Sequence, residues 1–273
     1  MLKQRVITAL ILAPLVIAAV LLLPNGYLAL ILGLVVAVGG YEWARLSGID
    51  RIQLQGLYLL LLLICLAASY IFLPPPWVPG VILISVIWWL TALWRLASYH
   101  PDRQQPFRIP LRAAEGFVVL LPAWLAIVSL HRIPQTGPGL LLFVLILIWS
   151  ADVGAYFAGH RWGRHRLAPR VSPGKTREGV YGAVAGSLIC GFVLAHWLAG
   201  GLTQALLLIL LCVVTMLASV VGDLFESLIK RQQGVKDSGS LLPGHGGMLD
   251  RIDSLTAAAP VFLFGLMLLG EVS

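Results

Sequence analysis

Leu202-Thr-Gln-Ala-Leu-Leu-Leu-Ile-Leu-Leu-Cys212-Val-Val-Thr215-Met-Leu-Ala-Ser219-Val-Val-Gly-Asp223-Leu-Phe-Glu226-Ser227-Leu-Ile-Lys230-Arg231 decides the fold class. From Leu202 to Gly222 no residue carries a charge, and about 20 apolar helical residues cross a ~30 Å hydrocarbon core. The stretch is therefore a membrane span, and its second half carries a stripe of polar groups. Ser219, Asp223, Glu226 or Ser227, and Lys230 recur at three- and four-residue steps, which places them on one face of an otherwise apolar helix. Two acids and a lysine are costly in lipid, so such a stripe faces a polar cavity or a ligand.

Composition extends this reading to the whole chain. Of 273 residues, 59% are hydrophobic and 11% charged, against about 25% charged in soluble domains. Nine apolar stretches are expected to span, at 6–24, 27–45, 57–73, 78–98, 114–130, 138–158, 179–199, 202–229 and 253–270. The fold class is thus all-α, a polytopic integral membrane protein with about nine transmembrane helices. Residues 1–273 read as one integral domain, with scaffold helices in 1–135 and the catalytic helices and loops in 136–273.

Orientation follows from lysine and arginine, which are retained on the cytoplasmic side. With the N-terminus inside, the inner segments collect 18 of the 19 basic residues, including Lys3, Arg5 and Arg103, and only Arg132 falls outside. Nine spans then put the N-terminus in the cytoplasm and the C-terminus outside, in a multi-pass inner (cytoplasmic) membrane protein. The same bias accounts for the net charge of +7, so no nucleic-acid partner is expected. The basic inner surface would attract anionic lipid head groups. Cys65, Cys190 and Cys212 lie singly in apolar runs, which excludes a disulfide framework or a zinc site. The apolar start after Lys3 and Arg5 reads as an uncleaved first helix.

The first five spans carry few polar residues and read as scaffold and lipid-facing wall. Glu42, flanked by Tyr41, Trp43 and Arg45, suits an interfacial aromatic belt with a nearby ion pair. The chemistry-bearing half begins at Asp152, a carboxylate within a span, with Tyr156 one turn on along the same face. The segment 159–179 reads as a basic, glycine-punctuated loop. Its Gly174-Lys175-Thr176 is no P-loop, because the first glycine of that pattern would fall at Pro169 and no strand precedes it. Lys175 and Thr176 are the expected phosphate contacts, by charge and by hydroxyl. Arg164, Arg166 and Arg170 are explained by the inside charge bias.

Beyond the long span come Lys236-Asp237 and His245-Gly246-Gly247-Met-Leu-Asp250-Arg251-Ile-Asp253, where Asp250 and Asp253 share a helix face. Mg²⁺ takes hard oxygen ligands, commonly one or two protein carboxylates, and leaves positions for water and substrate phosphates. Asp223 and Asp250 are the natural pair. His245 on its own reads equally as a turn histidine bonded to backbone.

The C-terminal region closely resembles the signature of the phosphatidate cytidylyltransferases, or CDP-diacylglycerol synthases. It carries Ser227-Leu-Ile-Lys230-Arg231, Lys236-Asp237 and Pro243-Gly-His245-Gly246-Gly247-Met-Leu-Asp250-Arg251-Ile-Asp253 at fixed spacing, and upstream Asp152-Val-Gly-Ala155-Tyr156 and Ser172-Pro173-Gly-Lys175-Thr176-Arg-Glu178-Gly179. One departure is Arg177, where the family pattern leads to an aromatic residue. The resemblance implies transfer of the cytidylyl group of CTP to phosphatidic acid, giving CDP-diacylglycerol and pyrophosphate, with Mg²⁺ required. It further implies metal ligation by Asp223, Asp250 and Asp253, with Asp223, Asp250, Lys230 and Arg231 as the catalytic set. Asp152, Ser172, Lys175, Thr176, Ser227, Lys236, His245 and Arg251 would bind substrate. Whether a second cation or a homodimer is involved stays open. The alternatives are a CTP-dependent lipid-alcohol kinase and, less favoured, a cation-coupled transporter. The Asp-Gly-x-x-Ala-Arg pattern of CDP-alcohol phosphotransferases is absent.

Overall fold

A computed structural model describes residues 2–100, 108–241 and 246–272, with side chains described from Leu12 onward. Among the described residues there are nine α-helices: α1 (Leu2–Leu22), α2 (Asn25–Leu46), α3 (Ile52–Phe72), α4 (Val78–Ser98), α5 (Ile109–Arg132), α6 (Gly137–Trp162), α7 (Arg177–Leu198), α8 (Leu202–Gln232) and α9 (Leu249–Leu268). Eight of them are long and apolar enough to cross a membrane, and the described apolar part of α1 is Leu12–Leu22. Lys3, Arg5, Arg103, Pro243, Gly244 and His245, all used in the sequence reading, lie outside the described residues or side chains.

One departure from the all-helical expectation lies between α6 and α7. The segment read as a loop contains a two-stranded antiparallel hairpin, β1 (Arg166–Ala168) and β2 (Ser172–Thr176), with Arg166 opposite Thr176 and Ala168 opposite Ser172. The Val171 N–H donates to the Ala168 carbonyl and closes the turn. Strands this short leave no legible alternation in sequence. Glu178 locks the hairpin onto α7, accepting from the backbone N–H groups of Arg164 and His165 and lying 2.7 Å from His165 Nδ1.

Helices α6, α7, α8 and α9 pack in succession, and α9 also meets α2, α4, α5 and α6. The α6–α7 contact is close because small residues face one another: Gly154 and Gly182 meet backbone to backbone, with Ala158 beside them. Without a hydrophobic drive between helices in lipid, such close approach is what holds neighbours together.

Polar tethers gather at one end of the bundle. Gln233 Nε2 donates to the Leu46 carbonyl (2.7 Å), Arg112 bonds the Gln232 side chain, and Trp43 Nε1 donates to the Arg112 carbonyl (2.8 Å). Arg95 pairs with Glu115 at 2.5 Å and lies over the Phe225 ring. The sequence reading of Trp43 as an interfacial belt residue is corrected here. Trp43 is 1% exposed and bonded inside the bundle, because α3 and α5 close over that face of α2. At the opposite end, Arg132 lies over Tyr70, and Asn25, His131 and the Val20 carbonyl form a second cluster.

Gly182→Leu is expected to push α6 from α7 and to cost about 1–3 kcal/mol, as overpacking does. Thermal unfolding of the detergent-purified protein would show this as a lowered midpoint, and an unchanged midpoint would contradict the packing described.

Candidate active site

Helix α8 is 31 residues long, about 46 Å at 1.5 Å per residue, and so exceeds a ~30 Å hydrocarbon core. Its surplus places the stretch from Asp223 onward towards the tethered end. There Gly222 lets α9 approach: a Cβ at this position would stand 2.5 Å from the Asp253 carbonyl oxygen. The contact brings the polar stripe of α8 alongside the first turns of α9.

Two ion-paired groups result. In the first, Lys175 of β2 reaches across to α8, with Nζ 2.5 Å from Asp223 Oδ2. Both side chains remain about 30% exposed (27% and 31%). The Ser227 hydroxyl lies 3.4 Å from Asp223 Oδ1. Asp152 of α6 and Asp253 of α9 both lie within electrostatic reach of Asp223 and Lys175. Asp253 Oδ1 accepts from the Ser254 N–H at 2.6 Å. Carboxylates from three helices thus lie around Lys175, and Asp253 is also within electrostatic reach of Lys230.

The second group is buried. Lys230 Nζ sits 2.6 Å from Glu226 Oε2 and 2.5 Å from Asp250 Oδ1. Asp250 Oδ2 accepts from the Ser238 N–H (3.0 Å) and the Gly247 N–H (2.8 Å), and lies 3.0 Å from the Ser238 hydroxyl oxygen. A buried ammonium between two carboxylates is held only because each charge has partners, and removing one leaves the rest uncompensated. Glu226 and Ser227 were alternatives for the stripe, and both are buried: Glu226, 3% exposed, pairs with Lys230, and Ser227 lies beside Asp223. Its Oε1 is buried without a hydrogen-bond partner among the described residues.

Several site expectations acquire a structural task. Thr176, the expected phosphate hydroxyl, is 8% exposed and N-caps α7, its Oγ1 accepting from the Gly179 N–H at 3.0 Å. Arg231 donates from Nε to the Val171 carbonyl (3.2 Å) and from Nη1 to Val235 (3.3 Å), clamping the hairpin to the end of α8. Ser172 stands in β2 opposite Ala168. Lys236 and Arg251 are exposed on the flanks of the turn. His245 lies outside the described residues.

Sequence reasoning missed Glu42. Read as an interfacial residue paired with Arg45, it is instead 4% exposed and bonded to Ser238 and to the N-terminus of α9. An acidic residue in an apolar span was the available signal, but its partner lies nearly 200 positions away. Among the described residues no group of three or more His, Cys, Asp or Glu side chains is gathered tightly enough to hold a metal alone. That suits a cation held by one or two carboxylates with substrate oxygens completing its shell.

Comparison with known proteins places the chain in a family. Residues 3–269 match the model of the cytidylyltransferase family. The chain belongs to that family. Its relatives include the phosphatidate cytidylyltransferase of Pseudomonas aeruginosa, 43% identical over 262 residues that cover 96% of each chain. That of Haemophilus influenzae is 38% identical over 284 residues, covering 97% of this chain and 98% of the relative. Enzymes of this family generally need a divalent cation.

Lys230→Met should be strongly destabilising, by about 3–5 kcal/mol, since it leaves Glu226 and Asp250 buried without their shared cation. Thr176→Ala should cost about 0.5–2 kcal/mol as a lost N-cap, and Thr176→Ser should restore most of it. Denaturation midpoints of the purified variants check both expectations.

Proposed function

We propose that this protein is a phosphatidate cytidylyltransferase, transferring the cytidylyl group of CTP to phosphatidic acid to give CDP-diacylglycerol and pyrophosphate. The observation that carries the reading is the meeting of Lys175–Asp223 with Lys230–Asp250 at one end of the bundle, in a chain matched by the family over nearly its whole length. The substrate assignment is supported by full-length relatives that bear that name.

The phosphomonoester of phosphatidic acid is the nucleophile, and it is largely dianionic near neutral pH because its second pKa is about 6. One of its oxygens forms a bond to the α-phosphorus of CTP while the bond to the β-phosphate bridging oxygen breaks, and pyrophosphate departs. No protein nucleophile is required. The protein's work is positioning and charge stabilisation.

Asp223 and Asp250 would hold Mg²⁺, which supplies positive charge to the triphosphate, with Asp253 as a further ligand or a group supporting them. Asp250 Oδ1 is the oxygen now facing Lys230. Lys175, at the edge of the half-exposed group, and Arg231 and Arg251 at the flank would meet substrate phosphates. Asp152 lines the same space and would serve a second cation if one binds. Ser172, Ser227, Lys236 and His245 complete the substrate-binding set.

The distribution of basic residues supports a cytoplasmic site in the inner membrane, with the N-terminus inside and the C-terminus outside. Phosphatidic acid would then enter sideways from the inner leaflet while CTP arrives from the cytoplasm. The scaffold helices of 1–135 and the catalytic helices of 136–273 act as one membrane-embedded unit, whether as a monomer or a homodimer.

Purified protein given labelled CTP, phosphatidic acid and Mg²⁺ should release pyrophosphate and form a lipid carrying cytidine. A lipid with one added phosphate and no cytidine would point to a kinase and overturn the reading. Asp223→Asn and Asp250→Asn should each lose nearly all conversion while keeping an unfolding transition, that of Asp250→Asn at a lowered midpoint because Lys230 loses a charged partner.

A further inference from the structure

Glu42 lies on α2, remote in sequence from every residue of the candidate site, yet its carboxylate is built into the turn that carries Asp250. Oε1 accepts from the Met248 N–H at 2.9 Å, and Oε2 accepts from the Leu249 N–H at 2.8 Å and from the Ser238 hydroxyl at 2.7 Å. Met248 and Leu249 open α9, whose N-cap makes no side-chain bond of its own. The free N–H groups of a helix start need acceptors and favour negative charge. Here a different helix supplies both.

The same bonds control Asp250. Ser238 stands between the two carboxylates, its hydroxyl oxygen 2.7 Å from Glu42 Oε2 and 3.0 Å from Asp250 Oδ2. The Ser238 and Gly247 N–H groups also donate to Asp250 Oδ2. Gly247 is pressed against Glu42 so closely that a Cβ there would stand 2.5 and 2.6 Å from its two oxygens. With Oδ2 committed to the turn, Oδ1 is the oxygen turned towards Lys230. Rotation of the Asp250 carboxylate would break two backbone hydrogen bonds that Glu42 helps to hold in place.

We propose that Glu42 is a positioning residue for cytidylyl transfer: through Ser238 and the start of α9 it fixes which oxygen of Asp250 faces the reaction space. The inference rests on the function proposed above and on the role given there to Asp250. A carboxylate is needed because all three partners donate. An amide would turn its own N–H₂ towards at least one of them.

The test uses the full chain in detergent, with kcat, KM for phosphatidic acid, the Mg²⁺ concentration for half-maximal rate and the unfolding midpoint read for each variant. Glu42→Gln should lower kcat or weaken the Mg²⁺ response by roughly 10–100-fold, the range for groups that orient a metal ligand. KM for phosphatidic acid should change little. Glu42→Asp should recover part of the loss, and Ser238→Ala should shift the same parameters in the same direction by less. Glu115→Gln, which removes another buried carboxylate bonded to Arg95, should lower the midpoint only. Wild-type kcat and Mg²⁺ response in folded Glu42→Gln would overturn the proposal. If Glu42→Gln does not fold, Ser238→Ala decides it, and wild-type kinetics there overturn it equally. Asp250→Asn run in parallel separates the two readings. Full turnover in that variant removes the role of Asp250 itself, whereas an inactive Asp250→Asn beside a normal Glu42→Gln removes the positioning alone.

Discussion

A lysine ammonium buried between two carboxylates is the constraint on which this end of the molecule depends. Lys230 can be 7% exposed only because Glu226 and Asp250 neutralise it, and Asp250 can be there only because two backbone N–H groups hold its other oxygen. Desolvating charge is expensive, and the geometry must be complete before the interaction repays it. Ser238, Gly247, the start of α9 and the inner end of α8 are therefore one cooperative unit. Gly222 sets the distance across which that unit forms.

Beside this buried unit stands a more open one with opposite character. Asp223 and Lys175 retain contact with the surroundings, and Asp152 and Asp253 lie within electrostatic reach of both. The contrast divides the labour of a site that must bring two polyanions together. On the function proposed above, the buried lysine would keep the frame rigid, and the half-exposed cluster would exchange partners with an incoming nucleotide and cation. The hairpin that carries Lys175 is pinned by Arg231 to α8 and by Glu178 to α7, so its lysine is delivered from a fixed support.

The N-terminal helices contribute more than a lipid-facing wall. Glu42 enters the turn, Gln233 is tied to the end of α2, and Arg112 of α5 holds Gln232. Each tether ends on a residue within or next to the chemistry-bearing half. In sequence these residues looked incidental because nothing local distinguishes a carboxylate at a membrane interface from one that caps a helix two hundred positions away.

Residue order alone determined the membrane class, the run of apolar helices and the family signature, since these depend on hydrophobic length and on spacing within single helices. It also placed Asp223, Lys230, Asp250 and Asp253 on the right helix faces, because a three- or four-residue step is a local property. Tertiary structure alone decided which of these groups meet. It set Lys230 against Asp250, Lys175 against Asp223 and Glu42 against Ser238, committed Thr176 to a helix cap, and folded a short hairpin where the sequence read as a loop. Those outcomes arise from desolvation and close packing between helices distant in the chain, which no local pattern records.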